Sequence, residues 1–267
     1  MDHLLLVGTG SARPVLNRCT SSTVLYTNKG KDLFMFDCGD GVTYLLAQMK
    51  VPAQRIRILF ITHSHIDHVG GIVSFIHSVV FATPQQLTIV APKGTKELAE
   101  QAFKFSREEF PKTITFIDYD DVNPTKVSYK NCDFTCVPIP HMPDVPGHAI
   151  LCQLHYERKE DKTLVVTGDT TSMSPMTTYI LENHIQVNVI VHECTFDDDL
   201  KDKSKQWGHS CPEIVSEEIK KFVPKKCILH HFSSRYSQSY VQRMAEKVKN
   251  TTGVETFVAK DGMIVVF

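Results

Sequence analysis

Thr62-His63-Ser64-His65-Ile66-Asp67-His68 packs three histidines and an aspartate into six consecutive positions. It follows Arg57 to Thr62, an apolar run that reads as a buried strand. On an extended chain, side chains at 63 and 65 share one side, so both imidazoles can face one point. Asp67 and His68 fall where the chain turns into a helix after Gly70-Gly71. That spacing suits two adjacent metals, the first pair on one and the second pair on the other. Imidazole with carboxylate favours zinc or a neighbouring transition metal over calcium, which takes all-oxygen cages. The plain alternative is a solvated, histidine-rich loop. Its place at a strand end, where active sites collect, weighs against that.

Four residues do not satisfy two metals, so further ligands are expected at other strand ends. His141 follows the run Phe134 to Ile139, Asp169 follows Thr163 to Thr167, and His231 follows Cys227 to His230. The expected sets are His63, His65, His141 and Asp169 on one ion, and Asp67, His68, Asp169 and His231 on the other, with Asp169 bridging. Asp37 is read as a partner that accepts a hydrogen bond from a ligand imidazole.

Outward from the cluster, strand runs dominate the middle of the chain, and strands alternate with helices in the last third. Both faces of such strands need cover, so the expected fold class is α/β, an αββα sandwich in a single domain over residues 1–267. No stretch rich in Pro, Gly or Ser reads as a linker. The helix at Thr95 to Phe105 is expected to be N-capped by its threonine.

Of 267 residues, 42% are hydrophobic and the formal net charge is −1, which fits a globular chain. A protein gripping nucleic acid over a broad face is usually strongly basic, so any such contact here must be local. No apolar span of roughly 20 residues occurs, so no membrane partner is expected. Met1-Asp2-His3 and the apolar run after it lack a basic leader region and read as the first strand. Eight scattered cysteines form no C-x-x-C pair and read as reduced, buried thiols, which points to the cytoplasm.

The chain resembles the metallo-β-lactamase superfamily and, within it, the tRNA 3′-processing endonucleases (tRNase Z, ribonuclease Z). The resemblance rests on the loop Leu6-Val7-Gly8-Thr9-Gly10-Ser11-Ala12-Arg13-Pro14 with Arg18-Cys19-Thr20-Ser21-Ser22 and on the turn Asp37-Cys38-Gly39-Asp40-Gly41. The histidine cluster, His141, Gly168-Asp169-Thr170 and His231-Phe232-Ser233-Ser234-Arg235-Tyr236 follow in the family's order. His192-Glu193-Cys194-Thr195 resembles its H-E-A-T loop, and His209-Ser210-Cys211 its H-S-T motif. The resemblance implies a pair of zinc ions, a homodimer, a tRNA precursor as substrate, and Glu193 cooperating with His209 near the leaving group. A carboxylate that fixes an imidazole tautomer makes a proton donor, so the pair is also plausible chemically. Glu193 closing a loop and His209 capping the helix at Pro212 is the structural alternative.

One departure stands out. The family grips tRNA with a long Gly- and Pro-rich arm between its third and fourth metal motifs. Here His141 to Asp169 holds a strand, the turn Glu157-Arg158-Lys159-Glu160-Asp161 and another strand, so this is a short form without the arm.

The expected reaction is phosphodiester hydrolysis. Asp67 orients the attacking water or accepts its proton, His209 protonates the departing oxygen, and Arg18 and Arg235 offer planar forks to phosphate. The competing substrate class is a small or cyclic diester, favoured by the missing arm and near-neutral charge. A metal-binding protein without catalysis would need a lost ligand or proton donor, and none is lost. β-Lactamase, lactonase and thiolesterase activities leave the Ser-Ser-Arg-Tyr ending unexplained.

Overall fold

The computed structural model describes residues 2–82 and 86–267. The chain forms two compact units, Met1–Tyr119 with Lys260–Val266, and Asp120–Ala259 with Phe267.

The first unit is built on β1 (His3–Gly8), β2 (Ser22–Thr27), β3 (Asp32–Phe36), β4 (Ile56–Phe60), β5 (Leu87–Ala91), β6 (Ile114–Asp118) and the last strand of the chain, β14 (Met263–Val266). Their order in the sheet is β14-β1-β2-β3-β4-β5-β6. Pairing is antiparallel from β14 to β3 and parallel from β3 to β6. Parallel neighbours need crossovers, usually helical. These are supplied by α1 (Val42–Gln48), by α2 (Ile66–Val69) with α3 (Ile72–Ala82), and by α4 (Thr95–Ser106). The core gathers Met35, Leu59, Ile61, Phe75, Ile89 and Phe103. The cap of α4 departs from expectation. Gly94, at φ 90, occupies the N-cap, while Thr95 lies inside the helix with its hydroxyl donated to the Pro92 carbonyl.

The second unit holds β7 (Thr125–Tyr129), β8 (Cys132–Met142), β9 (Val145–Leu154), β10 (Lys162–Thr167), β11 (Val189–Glu193), β12 (Lys226–His230) and β13 (Glu255–Val258), ordered β13-β12-β11-β10-β9-β8-β7. Strands β7 to β10 pair antiparallel and β10 to β13 parallel. The helices are α5 (Ser174–Glu182), α6 (Lys201–Gln206), α7 (Pro212–Phe222) and α8 (Gln238–Thr252). Leu151, Val165, Ile190, Leu229, Val215 and Met244 contribute to its core.

In both units the polar residues of interest sit just beyond strand carboxyl ends, where open α/β sheets place their ligands. His63 lies past β4, Asp169 past β10, and His231 past β12. His141 differs from expectation: it lies inside β8, at a register shift between Ile139 and Met142 that re-aims the strand.

Candidate metal centre

In the first unit the chain leaves β4 and enters α2 within a few residues, which draws the cluster together. The His63 ring centroid lies 4.9 Å from that of His65 and 4.1 Å from that of His68. Asp37 organises it. Its Oδ1 accepts from the Thr62 amide at 2.7 Å, and its Oδ2 accepts from His68 Nδ1 at 2.7 Å and from the Thr62 hydroxyl at 3.1 Å. Having donated its only hydrogen, that hydroxyl can only accept from His63 Nδ1, 3.0 Å away. Asp37 thus holds two imidazoles, one directly and one through Thr62. Asp67 is held separately: the Ala12 amide donates to its Oδ2 at 2.6 Å, and that oxygen lies 3.8 Å from His68 Nε2.

The second unit repeats the device. His141 Nδ1 donates to the Gly208 carbonyl at 2.7 Å. The Thr195 hydroxyl donates to Glu193 Oε2 at 2.9 Å, so it can only accept from His231 Nδ1 at 2.9 Å. Asp169 Oδ1 lies 3.2 Å from His231 Nδ1, and its Oδ2 lies 3.6 Å from His209 Nδ1. One ligand atom from each of Asp169, His209 and His231 lies within 4.8 Å of the others.

Glu193 is fully buried, the last residue of β11. Its Oε1 accepts from the amides of Thr170 at 3.1 Å and Ser210 at 2.6 Å, and its Oε2 from the amide and hydroxyl of Thr195. Its nearest approach to His209 Nδ1 is 3.7 Å, beyond hydrogen-bond range. The carboxylate therefore positions His209 through the Ser210 amide and through Thr195, whose hydroxyl lies 3.3 Å from His209 Nδ1. Cys211, not His209, is the N-cap of α7.

The two arginines differ. Arg18 is buried, and its Nη1 donates to the Thr9 hydroxyl at 2.8 Å. Thr9 in turn donates to Asp261 Oδ1, and the Cys19 amide donates to Asp261 Oδ2, both at 2.7 Å. This network braces the loop that carries Ala12. Arg235 is exposed, its Nε on the Ser233 hydroxyl at 3.1 Å and its guanidinium 4.9 Å above the Phe196 ring. Burial pushes the Cys38, Cys152, Cys194 and Cys227 thiols well up and Cys211 to about 12, and all eight cysteines are free. Seven of them are buried, and Cys19 is half-buried.

Sequence reading missed Thr62, Thr195, Ala12, Asp261 and Gly208. Thr62 and Thr195 flank expected site residues, but only geometry reveals that each hydroxyl accepts from an imidazole. The Ala12 amide carries no sequence signal.

The donors fit a divalent transition metal. His63, His68, His141 and His231 each give the Nδ1 hydrogen to a protein oxygen, so each keeps its lone pair on Nε2. The first unit adds the Asp67 carboxylate and the second the Asp169 carboxylate, so each offers an imidazole and carboxylate set.

Residues 3–259 match the family described as Anti-Pycsar protein Apyc1. Ribonuclease BN of Proteus mirabilis is 30% identical over 279 residues, covering 88% of this chain and 90% of the relative. Ribonuclease Z of Macrococcus caseolyticus is 26% identical over 309 residues, with 97% of each chain covered. Among solved structures, human tRNase Z, short form, superposes with a TM-score of 0.79 at 24% identity, covering 100% of this chain and 99% of that one. The metallo-beta-lactamase fold protein YhfI from Bacillus subtilis gives 0.79 at 18%, with 100% of each chain covered. Fold and side chains together define a metal-dependent phosphodiester hydrolase of the αββα metallo-β-lactamase fold. Within that superfamily the chain belongs to the ribonuclease Z family and, over residues 3–259, to the Anti-Pycsar protein Apyc1 family.

Proposed function

We propose that this chain cleaves phosphodiester bonds at RNA 3′ ends, with a tRNA precursor as substrate. In this reading residues 1–267 work as one hydrolase domain. His63, His65, His141 and Asp169 hold one metal, and Asp67, His68, Asp169 and His231 hold the other. The observation that carries it is the uniform tautomer of four ligand imidazoles, each fixed by a protein oxygen. Zinc suits such donors and, when bound, supplies Lewis acidity and an activated water. Asp67, fixed by the Ala12 amide, would orient an attacking water or take its proton. His209 retains 14% side-chain exposure, enough to meet a departing oxygen and protonate it. Arg235 offers its fork to a phosphate oxygen, and Arg18 serves the substrate by holding the loop at Ala12. Eight free thiols support a cytoplasmic location, and the family resemblance supports a homodimer. Among the described residues no helix is long and apolar enough to cross a membrane.

A second reading takes small or cyclic diesters as substrates. It is favoured by the tight β9–β10 hairpin, whose strands pair directly from Leu154 and Lys162. The Macrococcus alignment also runs over 309 positions, longer than this chain, so that relative carries segments without a counterpart here.

The test offers metal-loaded protein a 3′-extended pre-tRNA and bis-p-nitrophenyl phosphate side by side. Cleavage of the pre-tRNA at its 3′ side, abolished by chelator, is expected; cleavage of the small diester alone moves the assignment to the second reading. No chelator-sensitive hydrolysis of either substrate would sink both.

A further inference from the structure

Trp207 is the only tryptophan in the chain, and 40% of it is exposed. A single exposed aromatic is ordinarily unremarked surface. This one is packed on a buried ring, two residues before the proposed proton donor His209. Its amide bonds the Lys203 and Ser204 carbonyls at the end of α6, and the His209 amide bonds Ser204 as well. Between them Gly208, at φ 77, gives its carbonyl to His141. The backbone that orients a proposed metal ligand therefore also fixes the Cα from which the indole projects.

Beneath the indole lies Phe196, nearly buried, with ring centroids 5.2 Å apart and planes tilted 54°. Phe196 also meets the His209 ring edge-on at 5.6 Å and carries the Arg235 guanidinium 4.9 Å above its face. One buried ring thus supports three groups of different chemistry: an exposed aromatic surface, a proton donor and a cation.

Aromatic side chains with a neighbouring cation are how proteins hold unpaired nucleobases, the ring taking the base and the cation the phosphate. A platform already fixed loses little freedom on binding. We propose that the exposed indole of Trp207, backed by Phe196 and flanked by Arg235, is a nucleobase-stacking subsite beside His209 for the base next to the scissile phosphate. The inference rests on the phosphodiesterase reading and adds a base requirement, which a site for bare diesters would lack. Stacking is tolerant of sequence, because every base presents a π-face, so the subsite selects nucleotides without selecting among them.

The experiment titrates zinc-loaded protein with AMP and with ribose 5-phosphate, which differ only by the base. Affinity is read by calorimetry and by fluorescence of the sole tryptophan. AMP is expected to quench the emission and to bind on the order of tenfold more tightly than ribose 5-phosphate. W207A should bring AMP down to the affinity of ribose 5-phosphate. W207F should keep most of it, which separates loss of a ring from loss of folding. Equal affinity for the two ligands, or undiminished AMP binding by W207A, overturns the subsite. Hydrolysis of dinucleotides without base-dependent quenching overturns it too, and leaves the phosphodiesterase reading standing. Base-dependent quenching without hydrolysis of any diester keeps the subsite and overturns that reading instead.

Discussion

Ala12 (φ 58), Asp37 (φ 62) and His231 (φ 59) all adopt left-handed backbone without being glycine. Each such residue costs roughly 1–3 kcal/mol and persists only where its surroundings over-determine it. Asp37 is the clearest case, because its two oxygens accept three hydrogen bonds and its own amide is donated to Phe60. Asp37→Ala should remove the carboxylate that accepts from the buried Thr62 amide and release the rings of His63 and His68. The expected outcome is metal affinity weaker by about 10–100-fold, with stability lower by about 1–3 kcal/mol. Competition against a chromogenic chelator and thermal unfolding of the metal-free protein measure the two separately. Metal affinity equal to that of the wild type would show that Asp37 does not orient the ligands. Its partnership was legible in the sequence, because an aspartate opening a tight turn beside a histidine cluster has few other uses. The relays through Thr62 and Thr195 were not, since a threonine in a strand or loop is usually inert and only geometry shows where its hydrogen goes.

At the scale of elements, the turn after α6 has the least tolerance. Gly208 has φ 77, and a Cβ there would lie 2.5 Å from His141 Nδ1 and 3.0 Å from the His141 carbonyl. Gly208→Ala therefore meets both a backbone penalty and a steric one, neither relieved by a flexible side chain. We expect a loss of about 1–3 kcal/mol of stability together with weaker metal binding, because the His141 ring must move. A variant with wild-type melting temperature and metal content would contradict this packing. Helix α6 itself escaped sequence reading: Lys201 to Gln206 is polar throughout, so no apolar stripe marks a helical period. Of its lysines, Lys201 pairs with Glu213 at 2.7 Å and approaches Glu217. The β9–β10 hairpin has a pH signature of its own. His155 bonds Asp161 at 2.7 Å and Asp133 at 3.1 Å, and the hydrogen bond to Asp161 leads the effects that raise its pKa. A raised histidine pKa stabilises fully below the unfolded value near 6.5 and loses that contribution as pH rises through the folded value. NMR titration should find His155 above the ordinary value, and Asp161→Asn should lower it, with Asp133 still holding part of the rise. Its 42% side-chain exposure keeps the stability effect within about 1 kcal/mol.

For the molecule as a whole, the fold class was readable because strand runs dominate the middle of the chain, alternate with helices in the last third, and need cover on both faces. The division into two units was not readable, because the first unit recruits Lys260–Val266 from the far end of the chain and no linker marks the passage. Charge is where the whole chain speaks about substrate. With a net charge of −1, little long-range attraction for RNA remains. Arg235, Lys203 and Lys205 are exposed near His209 in sequence or space, whereas Lys201 is already paired. If these few cations are what meets phosphate, the logarithm of pre-tRNA affinity should fall with the logarithm of salt at a slope of about −2, given about −0.7 to −0.9 per neutralised phosphate. Hydrolysis of a small diester engages fewer of them and should depend on salt much less. Family members with the long arm draw binding energy from contacts far from the cut, and that energy makes a large substrate productive. Pre-tRNA binding here should accordingly be weak at physiological salt, and KM for it should rise steeply between low and high salt while kcat changes little. Tight binding that survives high salt would mean that some other surface, or a partner protein, grips the tRNA.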